Sequence, residues 1–141
     1  MIEGEKTLSC IECGVIETLP HTSQSERLKD IAENIRALLR RVMPDAVGVE
    51  TLFFAKNRKT ALSVAQARGV LLLKSLEATV PVVEYAPREI KLAVTGYGAA
   101  DKIAVATMVK KFLRVEELKG HDDASDALAI AITAANYKKF K

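Results

Sequence analysis

Metal-binding and redox side chains are scarce in this sequence. Its 141 residues include only two cysteines, Cys10 and Cys13, and two histidines, His21 and His121. A lone C-x-x-C pair with two distant histidines does not indicate a tetrahedral zinc site. The residues around the pair are typical of a strand, whereas a redox C-x-x-C motif normally opens a helix, and residues three apart in a strand point to opposite faces. We therefore predict two reduced structural cysteines in a reducing cytoplasm.

Long hydrophobic runs are also lacking. The longest, residues 70–73 and 127–132, are far shorter than the roughly 20 residues that span a bilayer. Residues 1–6 do not have the basic and then apolar layout of a secretory signal. The sequence thus predicts a cytoplasmic protein without a membrane partner.

The net charge is small and positive. A formal charge of +3 and a pI near 8.9 permit a polyanionic partner without requiring one. Basic clusters occupy residues 56–59, 110–111 and 138–141, and they form a DNA-facing surface only if the fold brings them together. Otherwise they are ordinary solvated faces, so charge alone leaves both interpretations open.

The length and composition are those of one globular domain. Hydrophobic residues make up 49% and charged residues 28%, and there is no repeat, low-complexity tract or linker. We therefore predict a single domain over residues 1–141.

The order of elements predicts a mixed α/β fold. Residues 6–18 contain two short strand-like runs broken near residues 12–14, which favour an antiparallel hairpin or meander. A capping box at Ser23 and Glu26 begins a helix that Pro44 ends. Further along the chain, the patterns predict strands at 45–50 and 81–85, and helices at 59–79, 87–94, 99–114 and 122–138. Strands alternate with helices after an all-strand start, as in mixed α/β proteins.

The helix predicted over residues 59–79 has apolar side chains all round. A helix that is apolar on more than one face needs two partners. We expect one side to meet the sheet and the other a second subunit, which favours a dimer.

Carboxylates are concentrated in two places. Asp123 and Asp126 are three apart on a predicted helix, so they lie on one face within one turn. Their repulsion is relieved by solvent, by the helix dipole and capping contacts, or by a shared divalent cation. Glu50 ends an apolar strand, where open α/β sheets place ligand sites. The alternatives are an acidic first helical turn with no ligand and a solvated strand end.

At these residues the sequence resembles the RuvC family of Holliday-junction resolvases. Four segments in order and at compatible spacings carry the resemblance: residues 49–57, 65–70, 84–91 and 122–131. The resemblance covers essentially the whole chain. It implies a ribonuclease-H-like mixed sheet flanked by helices, a homodimer, and paired metal-dependent nicks across a four-way DNA junction in recombination and repair.

The resemblance also assigns roles to individual residues. Glu50 matches the family's second catalytic acid and metal ligand, and Asp123 and Asp126 match its final acidic pair. Phe53 falls where an aromatic ring stacks on junction bases, while Lys91 and Lys102 fall where lysines contact phosphates near the cleaved bond. Considered alone, Phe53 or its neighbour is a core residue, and the two lysines are ordinary surface residues.

The implied cofactor is Mg²⁺, with Mn²⁺ as a substitute. Hard cations prefer oxygen ligands, so a cluster of carboxylates suffices without histidine or thiolate. Two ions roughly 4 Å apart are the common means of hydrolysing an anionic phosphodiester. Junction selectivity then depends on DNA shape and on a dimer whose two sites reach symmetry-related strands. A branch-migration motor complex is a further possible partner that the sequence does not determine.

The sequence departs from the family at its N-terminus. RuvC proteins begin with a central strand whose Ile-Asp-Pro-Gly-like residues supply the first metal-binding aspartate, and residues 1–18 have no such motif. We assign no catalytic role to Glu3 or Glu5. A start assigned downstream of the true one, or a truncated chain, would explain the departure. We therefore expect exposed strand edges and little or no nuclease activity, restored when an upstream segment with the aspartate is added.

The sequence leaves two other functions open. A non-catalytic junction-binding protein would bind junctions without cleaving them. Another ribonuclease-H-like nuclease would share the carboxylates but act on other branched or hybrid substrates. Comparing cleavage of a mobile junction, a flap and an RNA–DNA hybrid distinguishes these functions.

Overall fold

The computed structural model describes residues 1–4, 7–51, 58–116 and 122–137. It has the predicted mixed α/β character. In chain order the elements are β1 (Ile2–Glu3), β2 (Ser9–Cys10), α1 (Gln24–Val42), β3 (Val47–Glu50), α2 (Arg58–Glu77), β4 (Val82–Tyr85), α3 (Pro87–Thr95), α4 (Lys102–Leu113) and α5 (Asp122–Tyr137).

The N-terminal hairpin has a different partner from the one predicted. Strand β2 pairs antiparallel with β1, with Ile2 opposite Cys10, and residues 15–18 form no strand. The prediction of two paired runs within residues 6–18 is therefore wrong in its second run. Gly4 lies just after β1 at a φ of 118°, and a Cβ there would collide with the Thr7 carbonyl. Only glycine fits this turn, so the chain reverses earlier than hydrophobic alternation indicates.

Both cysteines are free thiols. Strand β2 ends at Cys10, so the alternation of a strand does not extend to Cys13. Burial raises the pKa of the Cys10 thiol, and the neighbouring Cys13 thiol raises it further. A raised thiol pKa lowers the thiolate fraction, which agrees with inert structural cysteines.

Helix α1 begins and ends as its sequence predicts. The Ser23 hydroxyl accepts from the Glu26 amide at 3.3 Å, and the Glu26 carboxylate accepts from the Ser23 amide at 2.8 Å. At the other end, Met43 takes a left-handed conformation and its amide donates to the Leu39 carbonyl. The helix stops there because the following proline disfavours helical geometry at Met43.

We expect Ser23→Ala to lower the free energy of unfolding by about 1 kcal/mol, because the helix loses its N-cap acceptor. The hydrogen bonds from Ser23 lower the pKa of Glu26. A carboxylate with a lowered pKa stabilises the fold above its ordinary pKa, and that contribution is lost as the pH falls through the lowered value. The deficit of Ser23→Ala should therefore shrink in acid. Urea denaturation at neutral and acidic pH measures it, with Ser25→Ala in the exposed first turn as control; equal losses in both variants would contradict the prediction.

The chain divides into two compact units. The first comprises residues 1–15, 48–51 and 83–141, and its core is formed by α3, α4 and α5, with Leu128, Ile132 and Val109 almost fully buried. The second comprises residues 16–47 and 52–82, in which α1 packs against α2. The single-domain organisation stays a prediction.

Strands β3 and β4 form a parallel pair. The Val47 amide donates to the Pro81 carbonyl and the Thr51 amide to the Tyr85 carbonyl, each at 2.9 Å, so the bonds advance along both strands in the same direction. Within the described ranges, no strand joins this pair to the β1–β2 pair. The parallel pairing places the carboxyl ends of β3 and β4 side by side, and Glu50 ends β3 there.

Helix α2 packs against α1. The expectation that one of its faces meets the sheet stays a prediction. Three of its leucines lie on one outward stripe and are more than half exposed: Leu62, Leu73 and Leu76. We call these three side chains the α2 stripe. Within the described ranges, none of the helices combines the length and apolar character of a membrane span.

Candidate active site

Strand β3 and helix α5 approach each other at Gly48. A Cβ on Gly48 would lie 2.9 Å from Ile130 Cγ2, closer than real side chains approach, and would touch Ala134 Cβ at 3.4 Å. The missing side chain therefore lets α5 lie directly against the strand. Because side chains alternate along a strand, Glu50 points to the same face as Gly48.

This packing brings two predicted acids together. Asp126 lies one turn before Ile130 on α5, so both occupy the helix face that meets β3. Partial burial raises the pKa of Glu50, the negative charge of Asp126 raises it further, and Lys91 lowers it. Glu50 and Asp126 are thus close enough to repel each other, although they lie 76 positions apart in the sequence.

The pair has the chemistry of a divalent-cation site. Two carboxylates that repel each other are stabilised by a shared hard cation, which takes oxygen ligands. The pair also lies at the carboxyl end of a parallel strand pair, where α/β sheets bind ligands. Glu50 and Asp126 therefore fit a metal ion of this type.

Asp123 lies in the first turn of α5, one turn before Asp126, and is exposed. In the part of the chain that the structure describes, no three His, Cys, Asp or Glu side chains are grouped closely enough to hold a metal ion. The structure thus brings Glu50 to Asp126 without gathering Asp123 to them. The catalytic and metal-binding roles of all three residues stay predictions.

Both predicted lysines lie beside these acids. The positive charge of Lys91 on α3 lowers the pKa of Glu50. At the start of α4, Lys102 Nζ lies 3.8 Å from Asp126 Oδ2. Asp101 caps α4 by accepting from the Ala104 amide at 2.7 Å, which fixes the helix start that carries Lys102. The lysines therefore surround the acids with positive charge, as phosphate binding requires.

The Lys102–Asp126 pair contributes little to stability, because its two side chains are 57% and 53% exposed. We expect Lys102→Met to change the free energy of unfolding by less than about 1 kcal/mol. Junction cleavage should fall by about ten-fold or more, because a cation beside the phosphate is lost. Denaturation and cleavage kinetics, both measured on one preparation of the form with the highest activity, test this. A Lys29→Met variant on α1, which loses another exposed surface pair, with Glu33, is the control.

Phe53, the predicted base-stacking residue, lies outside the described residues, so its role stays a prediction. Two further residues that shape the site, Gly48 and Asp101, had not been predicted from the sequence. Gly48 sits within a Val-rich strand, and a glycine in a strand interior signals close approach of another element. Asp101 precedes the apolar positions of α4, and an aspartate there is a helix-start signal.

Acids and lysines at the end of a parallel strand pair, on a mixed α/β fold, are the kind of site that a metal-dependent nuclease would use. The Thermus thermophilus RuvC structure matches 97% of this chain and 84% of its own with a TM-score of 0.88 and 36% identity. The structure described as T. thermophilus RuvC in complex with Holliday junction substrate matches equally well. These matches confirm the predicted ribonuclease-H-like fold.

The family model described as crossover junction endodeoxyribonuclease RuvC matches residues 1–134. RuvC of Brevibacillus brevis is 46% identical over 98% of this chain and 82% of the relative. RuvC of Thermomicrobium roseum is 42% identical over 99% of this chain and 85% of the relative. RuvC of a Roseiflexus species is 45% identical over 92% of this chain and 77% of the relative. The chain belongs to the RuvC family, crossover junction endodeoxyribonucleases, as its four sequence segments predicted.

Proposed function

We propose that this protein is a structure-specific DNA endonuclease that resolves Holliday junctions by paired nicks in recombination and repair. The juxtaposition of Glu50 and Asp126, created by the contact of Gly48 with α5, is the observation that carries the proposal. Family membership over residues 1–134 and the related structure with a Holliday junction substrate support it.

The RuvC family is metal-dependent, and we assign Mg²⁺ to this member, with Mn²⁺ able to substitute. Glu50 and Asp126 would hold the cation, with Asp123 one turn away on the same helix face. Bound there, the metal would supply Lewis-acid activation of water and stabilisation of charge on the phosphate.

The protein's own groups position the DNA strand. Lys102 and Lys91 place two ammonium groups beside the acids, where they attract a phosphate that the carboxylates alone would repel. As the bond to the leaving oxygen breaks, negative charge grows on that oxygen and these cations offset it. The cap at the start of α4 fixes the backbone that carries Lys102. Less conformational entropy is therefore lost when the Lys102 side chain binds the phosphate.

We also propose a homodimer formed through the α2 stripe. Three leucines exposed on one helix face are an apolar surface that a second copy would cover. A two-fold dimer would carry two identical sites to symmetry-related strands, which paired nicking of a four-way junction requires.

The dimer is tested by mass. Light scattering should give twice the 15.4 kDa of the chain, and Leu76→Asp in the α2 stripe should reduce it to one chain. Leu19→Asp, at a similarly exposed leucine outside the stripe, is the control and should stay dimeric. A wild-type mass of one chain would refute the dimer.

Cytoplasmic location and cooperation with a branch-migration motor are proposals of the same kind. The free thiols of Cys10 and Cys13 agree with a reducing compartment. Cell fractionation tests the first, and co-purification of the intact protein with a junction-bound helicase tests the second.

The nuclease proposal is tested on synthetic DNA with Mg²⁺ or Mn²⁺. Both the chain and a form extended at its N-terminus by an aspartate-bearing family strand are incubated with a mobile four-way junction, a flap and an RNA–DNA hybrid. We expect symmetrical paired nicks in the junction only, made by the extended form, with little or no cleavage by the chain without the added strand. Junction binding without cleavage in both forms would favour a non-catalytic protein, and cleavage of the hybrid would favour another nuclease of this fold.

A further inference from the structure

An aromatic side chain is exposed in the segment between α3 and α4. Tyr97 has 65% of its surface accessible, whereas Tyr85 at the end of β4 is buried. A single exposed apolar side chain is common on protein surfaces, so exposure alone does not indicate a binding site. Tyr97 is distinguished by how its backbone is held and by the charges around it.

The Tyr97 backbone is fixed by Thr95. The Thr95 hydroxyl lies 2.8 Å from the Lys91 carbonyl oxygen and 3.0 Å from that of Tyr97, and it accepts from the Tyr97 amide at 3.1 Å. Gly96 between them takes a left-handed φ of 77°, and the Ala100 amide donates to the Tyr97 carbonyl at 3.1 Å. A ring presented from a fixed backbone loses little conformational entropy when it binds.

Basic side chains border this segment. The Arg88 side chain lies over Gly98, where a Cβ would be only 2.9 Å from Arg88 Cγ. Lys91 precedes the segment and interacts electrostatically with Glu50, while Lys102 follows it and forms an ion pair with Asp126. The chain from Tyr97 to Lys102 can span at most roughly 18 Å. With a rise of about 3.4 Å per nucleotide, a strand held at the acids would pass Tyr97 within about five nucleotides.

We infer that Tyr97 is a DNA-contacting residue whose ring stacks on an unpaired base near the branch point, beside the cleaved phosphate. This inference rests on the proposed function, because the DNA strand must lie along Lys91 and Lys102. A flat ring gives sequence-tolerant contact with any exposed base face, and bases are accessible at a branch point but not inside an intact duplex. Arg88 would hold the phosphate backbone beside the ring.

The test is the binding of fluorescent junction and duplex DNA in Ca²⁺, without cleavage, over a range of salt concentrations. Tyr97→Ala should weaken junction binding about ten-fold. Tyr97→Phe should bind junctions almost as wild type does, because the ring and not the hydroxyl stacks. Duplex binding should change less than two-fold. The slope of the logarithm of junction affinity against the logarithm of salt concentration should be unchanged in Tyr97→Ala. In Arg88→Ala the slope should fall by about one, since only this variant removes a phosphate contact.

Thr95 and Leu19 supply the controls. Thr95→Val, which loses the hydroxyl, should weaken junction binding less than Tyr97→Ala does. Thr95→Ser, which keeps the hydroxyl, should bind junctions as wild type does. Leu19→Ala removes an equally exposed apolar side chain elsewhere and should bind as wild type. If wild-type protein shows no preference for junctions, the proposed function itself fails. If that preference holds while Tyr97→Ala binds junctions normally, or weakens duplex equally, the assignment of Tyr97 is wrong.

Discussion

Replacing Glu50 with glutamine is expected to reduce junction cleavage by about 100-fold or more, because one charged ligand of the proposed metal site is lost. Glutamine has almost the same shape, so the contact of β3 with α5 at Gly48 should persist. Removing a negative charge next to the DNA should leave junction affinity unchanged or slightly higher. Cleavage rates at saturating Mg²⁺, measured in the form with the highest activity, give the effect.

Metal binding gives a second measurement of the same change. Calorimetric titration of Mn²⁺ should show weaker binding in Glu50→Gln and in Asp126→Asn, since the two carboxylates lie together. Glu33→Gln removes the same charge from the exposed surface of α1 and should alter neither cleavage nor metal affinity. Full cleavage by Glu50→Gln would exclude Glu50 from the active site.

Adding a methyl group at Gly48 is expected to destabilise the protein by about 1–3 kcal/mol, because the new Cβ overlaps Ile130 Cγ2. The overlap is relieved when Ile130 is displaced from β3. We expect α5 to shift with it, which moves Asp126 away from Glu50. Gly48→Ala should therefore lower both the urea midpoint and the affinity for Mn²⁺. A stability loss without any loss of metal affinity would show that the packing does not position the acids.

A double variant identifies the cause of that loss. Ile130→Ala removes the overlapping methyl group, so Gly48→Ala combined with Ile130→Ala should be more stable than the two single losses predict, by about 1 kcal/mol. Gly14→Ala is the control, because a Cβ there meets nothing within 4 Å and the φ is not left-handed. It should be neutral or slightly stabilising. If the losses of stability in Gly48→Ala and Ile130→Ala simply add in the double variant, the steric explanation is wrong.

The helices could be predicted closely because their signals are local. The capping box at Ser23 and Glu26 and the proline after Met43 fix α1 within a few residues, since every bond concerned lies within one turn. The N-terminal strand pairing could not be predicted in the same way. Which run pairs with Ser9–Cys10 depends on a contact across the chain and on the turn at Gly4, not on alternation within either run.

The sequence by itself determined the family, the order of the elements and the identity of the candidate acids and lysines, because these follow from residue types and spacing along the chain. Only the tertiary structure decided which acids meet. Glu50 and Asp126 are far apart in sequence, and they become neighbours because α5 packs against the bare backbone of Gly48. Spacing along one helix does not by itself bring Asp123 to the same place, since each contact depends on the close packing of two elements.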